Sequence, residues 1–495
     1  MATGLIKDLC ERRRDAARYG PPLDQSAAQR ALSPAQWGIS AGLAICLALG
    51  VWLRPDGLGS GLVDAFATVF LGMAFWRIAL ILISIAKQPT PPDPAEWPRY
   101  TILAALHDEG EVVGQLIERL SRIAYPPDRL QGLLVLEAHD HETIAAALDT
   151  PRPDWLSVFV APPGGPQTKP RALNCALAHA TGDLLTVYDA EDEPDPFQLQ
   201  EAASRFAADA TGRLACLQAP LRIRAGRTGR DASPFLDRQF AAEYAGLFET
   251  ALPGMARLGL PFPLGGTSNH FRVDVLRAVG GWDAWNVTED ADLGFRLWYH
   301  GWRVGVIARP TWETPPGGLA DWLPQRTRWL KGYMQTWGVH TRRPWRLGWR
   351  GGLSLALTVG AGLMSAAIHG ATVAWVTATV LVAAMAGLSP ATPKLAVSVL
   401  IIGAAAAWLS CAVGALRAGI PYGPRDMIAA PAYWALLSLA FLHAVWRLVR
   451  EPFAWDKTRH RRDLLDEEPA SGEAAETPLD EAGPIRLSAG HAAAP

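Results

Sequence analysis

Charge is scarce in this chain. Asp, Glu, Lys and Arg make up 19% of its 495 residues, and the formal balance is only −2. So small a net charge gives no electrostatic footprint for nucleic acid, and no nucleic-acid partner is expected. Cysteine is scarce too. Cys10, Cys46, Cys175, Cys216 and Cys411 are scattered, with no C-x-x-C pair and no disulfide-framework spacing. That excludes a disulfide scaffold and suits a reducing compartment. A cleavable signal is also missing from the N-terminus. Glu11-Arg12-Arg13-Arg14 opens a polar stretch that runs to about Pro34, without the short apolar core such a signal needs.

What is abundant is apolar sequence, at 49% of residues, and it is segregated into long runs near both ends. The length calls for at least two structural units. A membrane crossing takes roughly 17–25 apolar residues. Residues 37–53 and 62–86 meet that length, the second with Asp64 and Arg77 inside it. An intramembrane Arg77 requires snorkelling or a protein-facing partner. Residues 351–387 carry no formal charge and are long enough for two crossings, broken near His369-Gly370. Residues 395–416 and 427–446 bring the expected total to six. Arg12, Arg13, Arg14 and Arg18 precede the first span, and Arg447, Arg450, Lys457, Arg459, Arg461 and Arg462 follow the last. The positive-inside rule then puts both termini, and the segment between the two sets of spans, in the cytosol.

The expected organisation is a cytosolic segment over 1–34, two transmembrane helices over 35–90 and a cytosolic domain over 99–343 with interfacial helices near its end. About four transmembrane helices follow over 351–449, then a loop over 450–462 and a disordered tail over 463–495, rich in Ala, Glu, Pro and Gly. The middle domain alternates strands with helices. Apolar runs at 100–106, 133–136, 156–160 and 184–188 read as buried strands, and the intervening segments have helical spacing. That pattern predicts an α/β domain with a mostly parallel sheet, whose ligands bind beyond the carboxyl ends of the strands. Acidic residues fall there three times: Asp108 and Glu109, then Glu137 and Asp140, then Asp189 and Glu191.

Asp189 and Glu191 stand two apart after a buried strand, where hard oxygen ligands can hold Mg²⁺ or Mn²⁺ against a diphosphate; a solvated turn has the same composition. Lys169 and Arg171 lie at a helix start, a place suited to phosphate, although a basic surface loop looks alike. Asp290 in Thr288-Glu289-Asp290 is a candidate general base. The same three residues can begin a helix, with Thr288 as cap and Leu293 and Leu297 on its apolar face. Gln325, Arg328 and Trp329 share one face of a helix that Pro324 can start, where Arg can meet phosphate and Trp a sugar ring. Trp322, Leu330, Tyr333, Met334 and Trp337 give that helix the character of one lying at a membrane surface.

In this order, K-P-R-A-L-N from Lys169, Asp189-Ala190-Glu191, Gly265-Gly266-Thr267-Ser268, Thr288-Glu289-Asp290 and Q-x-x-R-W, with apolar spans on both sides, the chain resembles the family 2 inverting glycosyltransferases of the cellulose, chitin and hyaluronan synthase type. The resemblance covers about residues 62–460 and implies a domain of the GT-A type. It implies that Glu137 and Asp140 serve uracil and ribose, Lys169 the diphosphate, and Asp189 and Glu191 the donor and its Mg²⁺ or Mn²⁺. Asp290 would be the catalytic base, and Gln325, Arg328 and Trp329 would hold the diphosphate and the acceptor end. Gln218 matches a position lining the acceptor path. Trp455-Asp456-Lys457-Thr458-Arg459-His460 is similar, with one extra residue, to a W-G-T-R loop that covers the diphosphate; Trp455, Lys457 and Thr458 therefore join the expected donor site. Glu137 replaces the usual Asp, Glu191 ends the metal motif where Asp is usual, and His107-Asp108-Glu109 replaces Tyr-Asn-Glu. No cyclic-dinucleotide domain is expected after the last span.

The function this implies is transfer from a nucleotide-sugar, a UDP-sugar by the resemblance, to a growing polysaccharide, with export by the membrane helices. Transfer of one sugar to a lipid and a non-catalytic export subunit are the alternatives. The expected partners are the donor, a glycan or lipid acceptor and membrane lipids, and the expected location is a bacterial inner membrane.

Overall fold

The computed structural model describes residues 20–29, 32–53, 55–86, 89–224, 233–387 and 394–454. Helices α1 (Pro34–Leu53) and α2 (Pro55–Ser84) lead into the α/β domain. The domain then runs β1 (Tyr100–Leu106), α3 (Val113–Ser121), β2 (Leu130–Glu137), α4 (His141–Asp149), β3 (Leu156–Ala161), α5 (Lys169–Leu177), β4 (Leu184–Tyr188), β5 (Glu193–Pro194), α6 (Gln198–Ala207), β6 (Leu214–Gln218) and β7 (Leu221–Ile223). Next come α7 (Pro234–Gly246), a π-turn (Leu247–Ala251), α8 (Leu252–Arg257), β8 (Asn269–Arg272), α9 (Val273–Ala278), α10 (Glu289–Tyr299), β9 (Arg303–Val306), β10 (Thr311–Glu313) and α11 (Leu319–His340). It closes with α12 (Gly348–Leu355), α13 (Ala361–Met385), α14 (Lys394–Ala418) and α15 (Pro424–Arg450).

The main sheet has the order β3-β2-β1-β4-β8-β6-β9. Its first four strands are parallel, as the alternation of strands and helices predicts. Both faces are covered, which is why these strands read as unbroken apolar runs. Leu103, Val135 and Val187 face α5, whereas Ile102, Ala104 and Leu136 face α3 and α6. Each fully buried leucine here contributes about 1.5–3 kcal/mol. The sheet is not wholly parallel. β8 runs antiparallel to both β4 and β6, so the Gly-Gly-Thr-Ser segment before it meets the carboxyl edge from the opposite direction. A second, three-stranded sheet, β5-β10-β7, lies beside that edge.

Among the described residues four helical stretches are long and apolar enough to cross a membrane, against the six expected: Ala67–Ser84, Pro344–Met385, Val397–Ala418 and Pro424–Arg450. The expected first span lies in α1, whose side chains are only partly described. The expected break at His369-Gly370 is absent, because α13 passes through it unbroken. Gly370 is instead a packing notch: a Cβ there would come within 2.8 Å of Ser438 on α15.

Contacts with the domain fix which ends lie together. Gln36 at the start of α1 donates to Gly338 O and Thr341 Oγ1 of α11 (2.9 and 2.8 Å). The end of α2 meets Gly254 through Leu80. α13 begins beside Tyr333, and α14 ends with Arg417 donating to Glu249 O (2.6 Å). α15 touches the domain at both ends. Asp426 pairs with Arg238, while Lys331 Nζ donates to Glu451 O (3.2 Å) and Ala454 O (2.7 Å). Between those ends Tyr433 bonds Arg326 and Glu243, and His443 bonds Thr327.

Candidate active site

Strand ends set the first wall of a cleft. His107 and Glu109 follow β1, Glu137 ends β2, and Asp189, Ala190 and Glu191 follow β4; all line one cavity. A tight turn holds the last three. Asp192, fully buried, accepts from Asp189 N (2.7 Å) and from the Thr267 hydroxyl. Burial, reinforced by Asp189 and Glu191, pushes the Asp192 carboxyl well above the usual range. It is a structural member of the turn and lies outside the cavity lining.

The opposite wall begins with α5, which starts at Lys169, where Pro170 suits a first turn. Lys169 Nζ bonds Asp189 and donates to Gly266 O (2.8 Å). Burial alone would lower its pKa, but Asp189 and Glu289 outweigh that, so it stays charged. A Cβ on Gly266 would lie 3.4 Å from Asp290 Oδ2, so the Gly-Gly segment brings the base candidate and the lysine to one point. Asp290 opens α10. Thr288 occupies the cap position, yet its side chain does not cap the helix; its hydroxyl donates to Asn286 at 3.4 Å. Burial raises the Asp290 carboxyl, opposed by the Ala291 N–H, Lys169 and Arg328. Glu289 is raised further, by burial and then by Asp290 itself. Two adjacent acids thus compete for ionisation, and Glu289 keeps its proton longer.

Helix α11 supplies the roof. It starts at Leu319, not at Pro324, and Pro324 sits inside it. Gln325, Arg328 and Trp329 all reach the cavity, and Arg328 also donates to Val287 O (3.2 Å), beside Asp290. Trp329, Tyr244 and Phe248 form an aromatic surface, with ring centroids 6.0 Å apart for Trp329–Tyr244 and 5.4 Å for Tyr244–Phe248.

Some expected residues stand elsewhere. Asp140 lies outside the lining: it caps α4, accepting from Thr143 N (3.1 Å), and holds Asp108 N (2.6 Å). Burial alone would raise its pKa, but these bonds lower it. Arg171 is buried behind Glu137, 3.5 Å away, instead of facing the cleft. Gln218 is buried too, outside the cavity lining; it accepts from Gly265 N (2.7 Å) and donates to Thr267 O (3.0 Å), so it pins the Gly-Gly segment. Trp455, Lys457 and Thr458 lie outside the described residues, although Ala454 ends against Lys331 of α11. Glu313 was not singled out by its sequence. It lies on the short strand β10 with no acidic neighbour in sequence, and only the fold brings it to the cavity.

Seven carboxyls line the cavity (Glu109, Glu137, Asp189, Glu191, Glu289, Asp290, Glu313) against two permanent cations, Lys169 and Arg328. Burial raises the carboxyls of Glu137, Glu289, Asp290 and Glu313, so not all seven are charged, and hard carboxylate oxygens of this kind suit Mg²⁺ or Mn²⁺. Asp189 and Glu191 both line the cavity beside Lys169. Among the described residues only His107, Asp108 and Asp140 bring three possible ligand atoms within 4.8 Å of one another, at the edge of the cleft.

A family model described as glycosyl transferase family group 2 matches residues 184–411. The chain is 28% identical over 293 residues to the beta-monoglucosyldiacylglycerol synthase of Synechocystis sp., covering 56% of this chain and 58% of that protein. It is 25% identical over 289 residues to a cellulose synthase 1 catalytic subunit [UDP-forming] of Komagataeibacter xylinus, covering 56% of this chain and 36% of that one. A solved mannosyltransferase from Pyrobaculum calidifontis, in complex with GDP-Man and Mn²⁺, aligns with a TM-score of 0.45 at 18% identity, over 79% of this chain and 98% of that one. The chain spans well under two thirds of the length of these curated relatives. The matched family model, the curated relatives and the ordered motifs around the cleft make the chain similar to the family 2 glycosyltransferases.

Proposed function

We propose that the chain transfers a sugar, with inversion, from a UDP-sugar to the hydroxyl of a growing polysaccharide at the cytosolic face of a bacterial inner membrane. The observation that carries this reading is the meeting of Asp290 and the Lys169–Asp189 pair at Gly266. A base and a diphosphate-binding cation then stand on either side of one reacting carbon. Asp290 takes the proton of the acceptor hydroxyl as its oxygen attacks the anomeric carbon; the bond to the diphosphate breaks and the nucleoside diphosphate leaves. Lys169 and Arg328 hold charge that develops on the leaving oxygens. A divalent ion held by Asp189 and Glu191 would supply Lewis-acid neutralisation of the diphosphate. Glu137 would meet the nucleoside, and the aromatic surface the sugars. By the family resemblance, Trp455, Lys457 and Thr458 would join the donor site.

A second reading, transfer of one sugar to a lipid, is favoured by the apolar residues Leu247, Phe248 and Leu264 in the cleft and by the diacylglycerol synthase relative. Purified protein supplied with radiolabelled UDP-sugar separates the two. Chains of many residues support polymer synthesis; a lipid carrying one sugar, with nothing longer, replaces it with the second reading.

The membrane reading that fits the helix ends is four crossings: α1 outward and α2 back, then α13 outward and α14 back. At 20 residues and about 1.5 Å per residue, α1 matches the roughly 30 Å hydrocarbon core. α15, bonded to the domain at both ends, would lie along the membrane surface with Ile428, Leu439, Leu442 and Val449 toward lipid. The even parity then keeps both termini on the domain's side. A cysteine placed at Met385 should react with an impermeant maleimide on intact cells, whereas cysteines at Arg425 and Glu451 should react only after permeabilisation. Labelling of position 425 from outside would make α15 a true crossing.

A further inference from the structure

Glu313 has no role in the mechanism above, yet it is only 8% exposed and its side chain lines the cleft. Period-two alternation along β10 puts it on the same face as Thr311, which is fully engaged by Ser268 (2.6 Å) and Gln198 (3.0 Å). Glu313 differs. Its Oε1 is buried with no hydrogen-bond partner among the described residues. A buried, unpartnered carboxyl oxygen costs stability and calls for a function or a ligand. The carboxyl shares the cavity lining with Leu221, Tyr244, Phe248 and Trp329. A flat apolar surface together with an isolated acceptor is the arrangement that holds a hexose: the ring's C–H face meets the aromatics and a hydroxyl meets the acid. The cleft carries a second acceptor with no hydrogen-bond partner among the described residues, Gln325 Oε1, on α11.

We propose that Glu313 is a sugar-recognition residue, whose carboxyl accepts a hydrogen bond from a hydroxyl of the hexose bound in the cleft and so helps set which epimer is used. This rests on the transferase reading. It assigns Glu313 to the sugar, not to the diphosphate, and the two are separable because free UDP lacks the sugar.

The test compares wild type, Glu313→Ala and Glu313→Gln, first screening UDP-glucose, UDP-galactose, UDP-N-acetylglucosamine and GDP-mannose for turnover by wild type. With the donor that is used, Glu313→Ala should raise KM about 3- to 10-fold, the worth of a hydrogen bond to an uncharged carboxyl. The free nucleoside diphosphate should bind all three proteins within about twofold, which also shows that the variants are folded. Glu313→Gln keeps the shape and one acceptor, and should lose less. The preference between the 4-epimers UDP-glucose and UDP-galactose should narrow in both variants. Equal weakening of nucleoside diphosphate and nucleotide-sugar would overturn the proposal in favour of a role at the ion or diphosphate, and unchanged KM and epimer preference would overturn it in favour of a structural role. No turnover of any donor by wild type would instead overturn the transferase reading on which it depends.

Discussion

Replacing Asp290 by asparagine lowers kcat by about 10³-fold, the upper part of what a positioned general base contributes, while nucleotide-sugar affinity stays within a few-fold. Asparagine keeps the size and the bond to Ala291 N (2.7 Å) but cannot take the acceptor's proton. The pH dependence of kcat/KM carries the same information with a definite sign. A base works only when ionised, and burial raises Asp290 above its ordinary value of about 4. Activity therefore falls as pH drops through a limb that lies above the ordinary carboxylate range. Removing a neighbouring cation, as in Arg328→Met, moves that limb to higher pH, because Arg328 is one of the charges holding Asp290 ionised. Stopped transfer in D290N with intact donor binding separates a base from a residue that merely shapes the cleft; full activity assigns the proton to another group.

The largest effect on stability is expected one turn along the same helix. Asp292 and Arg296 are both fully buried, 3.0 Å apart at i and i+4 on α10, and His340 of α11 lies 2.9 Å from the other Asp292 oxygen. Arg296 also donates to Val279 O and Gly281 O. Asp292→Ala leaves a guanidinium uncompensated in the core, which costs about 3–5 kcal/mol. Denaturant unfolding of the detergent-solubilised protein should show that loss. Asp292→Asn should cost less, because it keeps hydrogen bonds to both partners. A loss below 1 kcal/mol in Asp292→Ala would mean that water reaches Arg296. Burial alone would raise the Asp292 pKa, but Arg296 and His340 outweigh it and hold it low. The contribution is therefore present above the unfolded aspartate's pKa and lost as pH falls below it.

The strands were legible because burial on both faces writes them as unbroken apolar runs, as at 100–106 and 184–188. The acids at their ends were legible for the same reason, since a buried strand must finish at an edge. β8 was not, because Asn269–Arg272 is short, polar and antiparallel, and its place is set by pairing with β4 and β6. Spacing put Gln325, Arg328 and Trp329 on one face, but it could not separate Asp140, a helix cap, from Glu137, which faces the cleft. Glu313 was invisible because its acidic neighbourhood is assembled from β10 and the Asp189–Asp192 turn after β4 and has no local pattern. Among the described residues fewer helices are long and apolar enough to cross than the six expected, because an uncharged run states how much chain can be buried, not where it turns; α13 uses Gly370 to pack closely, not to bend.

The measurement closest to the central claim is nucleoside diphosphate release by the purified protein, with Mg²⁺ or Mn²⁺ and a panel of UDP- and GDP-sugars. A UDP-sugar that releases UDP in wild type, with release lost on chelation and in D290N, is the result expected. Release from GDP-sugars alone would contradict the uridine assignment, and no release from any donor, or undiminished release in D290N, would contradict the catalytic site itself.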